Sequence, residues 1–121
     1  MLQIIFNEIS AREVSQLAPT EQLALLDEFQ VTPEDLDRPD GERFGKVARD
    51  GADLFRFRAS EYRIYFALEE ETVVVHRVLN RNTLEDFFYR TKLPLGEDEA
   101  LSRSKHFWKL IEEGENARKL S

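Results

Sequence analysis

The chain has 121 residues, 41% of them hydrophobic and 34% charged, with nine Phe and a formal net charge of −7. That length supports one domain around one modest core. No apolar run is long enough to span a membrane, and the start Met1-Leu2-Gln3-Ile4-Ile5-Phe6 is too short and lacks the basic leader of a signal peptide, so a cytoplasmic location is expected. The absence of cysteine excludes disulfides, thiolate metal sites and cysteine nucleophiles, and His76 and His106 are too far apart in sequence to suggest zinc. No metal or organic cofactor is implied.

The charge is unevenly spread. Residues 1–42 carry net −8, residues 43–92 carry net +2 and residues 93–121 carry net −1. A basic patch is therefore confined to the middle third, against an overall charge that weakens non-specific binding of nucleic acid.

In chain order, Leu2 to Phe6 is a predicted strand, and Ser10 with Glu13 three residues on has capping-box spacing. Ile9, Val14, Leu17 and Ala18 then recur at helical spacing. After Pro19-Thr20 a second helix, with Leu23, Leu26 and Phe29 along one side, is predicted to about Gln30, and the two form a helical hairpin. From Val31 to Gly51 the pattern weakens into an ordered loop, with a helical turn at Thr32-Pro33-Glu34-Asp35 and a turn signal at Pro39-Asp40-Gly41. Three strands follow, Asp53 to Arg58, Tyr62 to Glu69 and Thr72 to Leu79, the last two joined through Glu69-Glu70-Glu71. Thr83 and Asp86 are spaced to cap a short helix carrying Leu84, Phe87 and Phe88. Glu97 to Glu113 is a further predicted helix, with Leu101, Trp108 and Ile111 near one face, ended by Gly114 and followed by a frayed tail from Glu115. This order predicts an α+β domain with helices on one face of an antiparallel sheet.

The run Leu54-Phe55-Arg56-Phe57-Arg58 alternates with a period of two, which places Arg56 and Arg58 on one strand face and Phe55 and Phe57 on the other. In the returning strand Arg63 and Tyr65 share a face. Arginine's planar fork fits phosphate oxygens and keeps its charge at any working pH. Arg56, Arg58 and Arg63, joined by Arg77 and Arg81, are thus candidate phosphate contacts; alternatively they are surface arginines paired with nearby acids. Tyr62, Tyr65 and Tyr89 are candidate stacking platforms for bases, or else half-buried sheet residues. His76, among Val73, Val74, Val75 and Val78, is first a core histidine and alternatively a general base, since cleavage of RNA needs a proton acceptor for which His76 or a tyrosine is the conventional candidate, and strand alternation predicts that His76 and Arg77 face opposite ways. The apolar surface of the last helix, with Phe107, Trp108, Leu110 and Ile111, either covers the sheet or serves as a homodimer or partner-binding face.

The order of elements, the phrase Leu54-Phe55-Arg56-Phe57-Arg58 through Tyr62-Arg63-Ile64-Tyr65-Phe66, and the segment Val75-His76-Arg77-Val78-Leu79-Asn80-Arg81 together resemble the RelE/ParE superfamily of toxins. The resemblance implies a RelE/ParE-like domain over residues 1–92, with a strand and helical hairpin on an antiparallel sheet, and a C-terminal helical extension over 93–121 packed on it. RelE-type members are ribosome-dependent endoribonucleases that cut mRNA. By resemblance Arg56, Arg63 and Arg81 match catalytic positions, and Arg58, Tyr65, Arg77 and Tyr89 match RNA-binding ones. An antitoxin is the implied protein partner, and the ribosome or mRNA the implied target. Two departures stand out: Leu54 takes a place where a Lys is usual, and the expected C-terminal tyrosine falls on Phe87 or Phe88, with Tyr89 out of register. These departures open a second reading, a non-catalytic module on the same fold that engages a protein or RNA partner.

Overall fold

The computed structural model describes residues 2–49, 52–84 and 96–120. Its elements run β1 (Gln3–Asn7), α1 (Glu8–Ser15), α2 (Pro19–Glu28), α3 (Pro33–Asp37), β2 (Phe44–Arg49), β3 (Ala52–Ala59), β4 (Tyr62–Glu69), β5 (Thr72–Asn80), α4 (Glu97–Ser102), α5 (Lys105–Glu115) and β6 (Lys119–Leu120). Residues 81–84 are also helical. Among the described residues the sheet has six strands in the order β2-β3-β4-β5-β1-β6. All neighbours are antiparallel except β1 and β5, which run parallel with Ile4 opposite Val73 and Phe6 opposite Val75. The α+β class read from the sequence holds, with the sheet mixed at this one pair.

The helices occupy both faces of the sheet, not one. On the first face Phe29, Val31 and Leu36 pack with Phe44, Phe57, Ile64, Phe66, Val73 and Val75, and Phe29 meets the Phe57 and Phe66 rings at centroid distances of 5.0 and 5.6 Å. On the second face Leu101, Phe107, Trp108 and Ile111 pack with Val47, Leu54, Tyr65 and Leu79. The C-terminal helices thus cover the sheet with the apolar surface that their sequence presents. The reason is the pleat of β3: its Phe side goes to the first core and its Leu54-Arg56 side needs a separate cover.

Several boundaries differ from expectation. Helix α1 starts three residues early, with Asn7 as N-cap: Asn7 Oδ1 accepts from the Ser10 amide at 2.7 Å and Ser10 Oγ accepts from the Asn7 amide at 3.0 Å. Ser10 is therefore the returning member of the box, which releases Glu13 for another role. The loop predicted over 31–51 contains β2, which pairs with β3 from Phe44 opposite Phe57 to Arg49 opposite Ala52. Gly45 weakens its strand pattern but is required, because a Cβ there would strike the Arg56 guanidinium and the Asp98 carboxylate. Helicity from residue 81 displaces Thr83 from the cap, and Asn80 Oδ1 accepts from the Asn82 amide at 2.8 Å. Asp86, Phe87, Phe88 and Tyr89 lie outside the described residues. The single helix expected from Glu97 to Glu113 is two, divided at Arg103-Ser104, where Ser104 Oγ caps α5 by accepting from the Phe107 amide at 3.2 Å. Gly114 lies within α5 and packs its backbone against His76. The tail expected to fray forms β6, whose Leu120 and Lys119 pair with Phe6 and Asn7.

A bulge at Tyr65/Phe66 shapes the second face. Tyr65 pairs with Arg77 but Phe66 pairs with Val75, so His76 is the extra residue. Val75 and Val78 point into the first core, whereas His76 lines a cleft with Trp108 and Arg77 donates to a carbonyl of α5. His76 and Arg77 thus both address the second face, against the alternation that a regular strand would impose.

Candidate nucleic-acid interface

The strand register brings the candidate arginines together. Arg56 lies opposite Tyr65 and Arg58 lies opposite Arg63, all on the second face. Two arginines directly across a ladder repel each other and require a counter-charge. Glu97, in the first turn of α4, supplies it, with Oε1 2.7 Å from Arg63 Nε and Oε2 3.5 Å from Arg58 Nη2. Arg63 is buried and its Nη1 donates to the Ser60 and Tyr62 carbonyls. Arg58 remains partly exposed, at 36% of its side chain.

Arg56 is fully buried. Its Nε and Nη2 donate to the two carboxylate oxygens of Asp98 at 3.1 and 2.8 Å, Nη2 also to the Gly41 carbonyl, and Nη1 to the Glu42 and Arg43 carbonyls. These contacts use all five N–H donors of the guanidinium. Burial alone lowers its pKa, but the hydrogen bond and charge of Asp98, with Glu97 and Tyr65 adding, raise it above the ordinary arginine value. A buried ion is tolerated only when paired and hydrogen-bonded in this way.

The other predicted residues are dispersed. Arg77 sits against Glu13, with Nη2 to Oε2 at 2.8 Å, and donates from Nη1 to the Leu110 carbonyl at 3.1 Å. Glu13 also accepts from the Val78 amide at 2.9 Å, satisfying β5 beyond the point where β1 stops. Arg81 is exposed and its amide donates to the Glu61 carbonyl at 2.6 Å. Tyr65 is fully buried, its ring edge-on to Phe107 at 4.9 Å, and its hydroxyl has no partner among the described residues. Burial first, then the charges of Glu97 and Asp98, push that phenol well above its ordinary pKa. Tyr62 donates its hydroxyl to Glu21 on the opposite layer. Tyr89 lies outside the described residues.

His76 is buried, with Nδ1 unpartnered among the described residues, and burial pushes its pKa down. Its cleft is lined by Leu54, Ala67, Glu69, Trp108, Glu115 and Lys119, and by none of Arg56, Arg58 and Arg63. Among the described residues no acid–histidine cluster has a metal-binding arrangement.

The acids that complete this face, Glu97 and Asp98, were not singled out from the sequence. The one available signal was complementarity: an acidic triplet, Glu97-Asp98-Glu99, opens an amphipathic helical pattern downstream of a basic sheet segment.

No family model and no curated protein matches the chain. Among solved structures, it resembles the RelBE2 toxin–antitoxin complex from Mycobacterium tuberculosis, at TM-score 0.51 and 23% identity over 66% of this chain and 98% of that one. It also resembles the archaeal RelE–RelB complex from Pyrococcus horikoshii OT3, at TM-score 0.52 and 13% identity over 66% of this chain and 94% of that one. Architecturally the chain is an α+β domain with a mostly antiparallel sheet. Within that class its fold is RelE-like, and about a third of its length has no counterpart in these two structures.

Proposed function

We propose that the protein is a RelE-like module that binds single-stranded RNA through the arginine side of its sheet without cleaving it, and that it works with an antitoxin-type protein partner. The observation that carries this reading is the convergence of Arg56, Arg58 and Arg63 on one patch, in register, where the adjacent carboxylates of Glu97 and Asp98 are engaged in ion pairs with the same arginines. Phosphate needs a cationic fork; cleavage also needs an acceptor for the 2′-hydroxyl proton. Tyr65 is enclosed with a raised pKa, and His76 opens into a different cleft. That the two solved structures described above are toxin–antitoxin complexes supports the antitoxin-type partner.

A second reading, ribosome-dependent mRNA endoribonuclease, draws on two members of that patch, since the family resemblance marks Arg56 and Arg63, together with the separately placed Arg81, as catalytic. One experiment separates the two. The purified protein is incubated with programmed ribosomes, and cleavage is read by primer extension beside anisotropy of a fluorescent RNA oligonucleotide. Weak, salt-sensitive binding that Arg58→Ala diminishes, with the message intact, is expected. Cleavage that disappears in Arg63→Ala or Arg81→Ala establishes the endoribonuclease instead.

A further inference from the structure

We propose that α4 is an intramolecular antagonist of RNA, whose Glu97 and Asp98 carboxylates occupy the positions that phosphates take on the arginine patch. This rests on the RNA-binding reading above and adds its regulation. Carboxylate and phosphate present the same feature to a guanidinium, a pair of anionic oxygens matched to the N–H fork. Asp98 engages Arg56 in that two-point manner, at 3.1 and 2.8 Å, and Glu97 bridges Arg63 and Arg58. The two acids are neighbours at the start of one short helix and together account for all three converging arginines.

The covering layer is built in two parts that differ in how firmly they are held. Helix α5 buries Phe107, Trp108, Ile111 and Gly114, and the Arg77 guanidinium donates to its Leu110 carbonyl. Helix α4 buries only Ala100 and Leu101, and Gly96 gives it no side-chain cap. The Arg103-Ser104 break separates the two helices, with the cap of α5 coming from Ser104, while Trp108 Nε1 of α5 donates to the Ser102 carbonyl at the far end of α4 from the acids, at 2.8 Å. Displacement of the acids is thus a movement of the Glu97 and Asp98 side chains in the first turn of α4, which leaves the Leu101 and Trp108 contacts with α5 in place. Arg58, at 36% exposure, is the edge of the patch at which an entering phosphate first meets a cation.

The test uses the full chain with Glu97→Gln and with Glu97→Gln/Asp98→Asn. Asp27→Asn/Glu34→Gln serves as a control, changing charge equally at exposed acids away from the patch. Affinity for a fluorescent single-stranded RNA is measured across salt concentrations, and amide hydrogen exchange is followed over residues 97–115. The double variant is expected to bind at least about tenfold more tightly than both the unaltered protein and the control, with a steeper salt dependence. The single variant, which keeps the Arg56–Asp98 pair, is expected to gain about threefold and decides the matter if the double variant does not fold. Tight binding by the unaltered protein, equal to that of the variants, overturns the antagonism and leaves the RNA-binding reading intact. Faster exchange in α4 of the variants without any RNA binding overturns the RNA-binding reading and the antagonism with it. Unchanged exchange and unchanged affinity overturn the antagonism.

Discussion

Arg56 illustrates how one side chain's surroundings decide its role. Its spacing in β3 makes it a candidate for phosphate, yet all five of its donors are used inside the chain and none of its surface is exposed. Arg58, two residues on and on the same strand face, keeps over a third of its side chain in solvent and is the more available cation. His76 shows the same dependence in its titration. Burial lowers its folded pKa below the ordinary 6.5, so the unfolded chain takes up a proton at higher pH than the folded one. Stability is therefore fully present above about pH 6.5 and is lost as pH falls from there towards the folded pKa. Its neighbours Glu69 and Lys119 act in opposite directions on the imidazole and are themselves paired at 3.0 Å. Glu115, raised above its ordinary 4.5 first by burial, contributes with the opposite sign at lower pH. Thermal melts from about pH 7.5 down to 5 should show the midpoint falling, and His76→Gln should flatten that slope if the histidine causes it.

At the scale of elements, Asn7 ties four of them together. It ends β1, caps α1 through Oδ1, and from Nδ2 reaches the Val75 and His76 carbonyls of the β5 bulge and the Gly114 carbonyl of α5 at 2.8–3.1 Å. Asn7→Ala removes a cap worth about 1 kcal/mol and leaves buried carbonyls unsatisfied at about 1–3 kcal/mol in total. The sum, roughly 2–4 kcal/mol of stability, should be read as a lower urea midpoint with an unchanged slope. A loss under about 0.5 kcal/mol would mean that the bulge and α5 hold together without this side chain. The bulge itself explains why His76 and Arg77 share a face: the strand carries one residue more than its partner, and alternation restarts out of phase.

Across the whole molecule the sheet separates two apolar cores, and the C-terminal core is as enclosed as the first: Leu101, Phe107 and Ile111 have no exposed surface. The two cores share β3, β4 and β5 as their common wall. They should therefore unfold as one unit. Trp108, the sole tryptophan, reports on the C-terminal core, while far-UV circular dichroism reports on the whole. Coincident urea transitions are expected; an earlier fluorescence transition would show the C-terminal layer detaching alone. Because Leu101 of α4 belongs to this core, the proposed regulatory movement is confined to the Glu97 and Asp98 side chains.

Local information was enough for the three central strands, both N-terminal helices and the opposed faces of β3, because alternation and helical spacing are written in the residues that form each element. It was not enough for β2, where Gly45 interrupts the strand signal for the sake of Arg56, nor for β6, which is two residues long and exists only by pairing with β1. The arginine patch was legible in part: period two placed Arg56, Arg58 and Arg63 on one face, and the register put Arg58 and Arg63 side by side. What covers them was not legible. Glu97 and Asp98 lie 34 and 42 residues from the arginines they meet, and a charge contact over that separation has no local pattern. The amino-acid order alone determined the α+β class and a one-sided row of arginines. Only the tertiary structure decided that the row is already neutralised from within the chain, because long-range packing of α4 and α5, not strand periodicity, sets which side chains meet water.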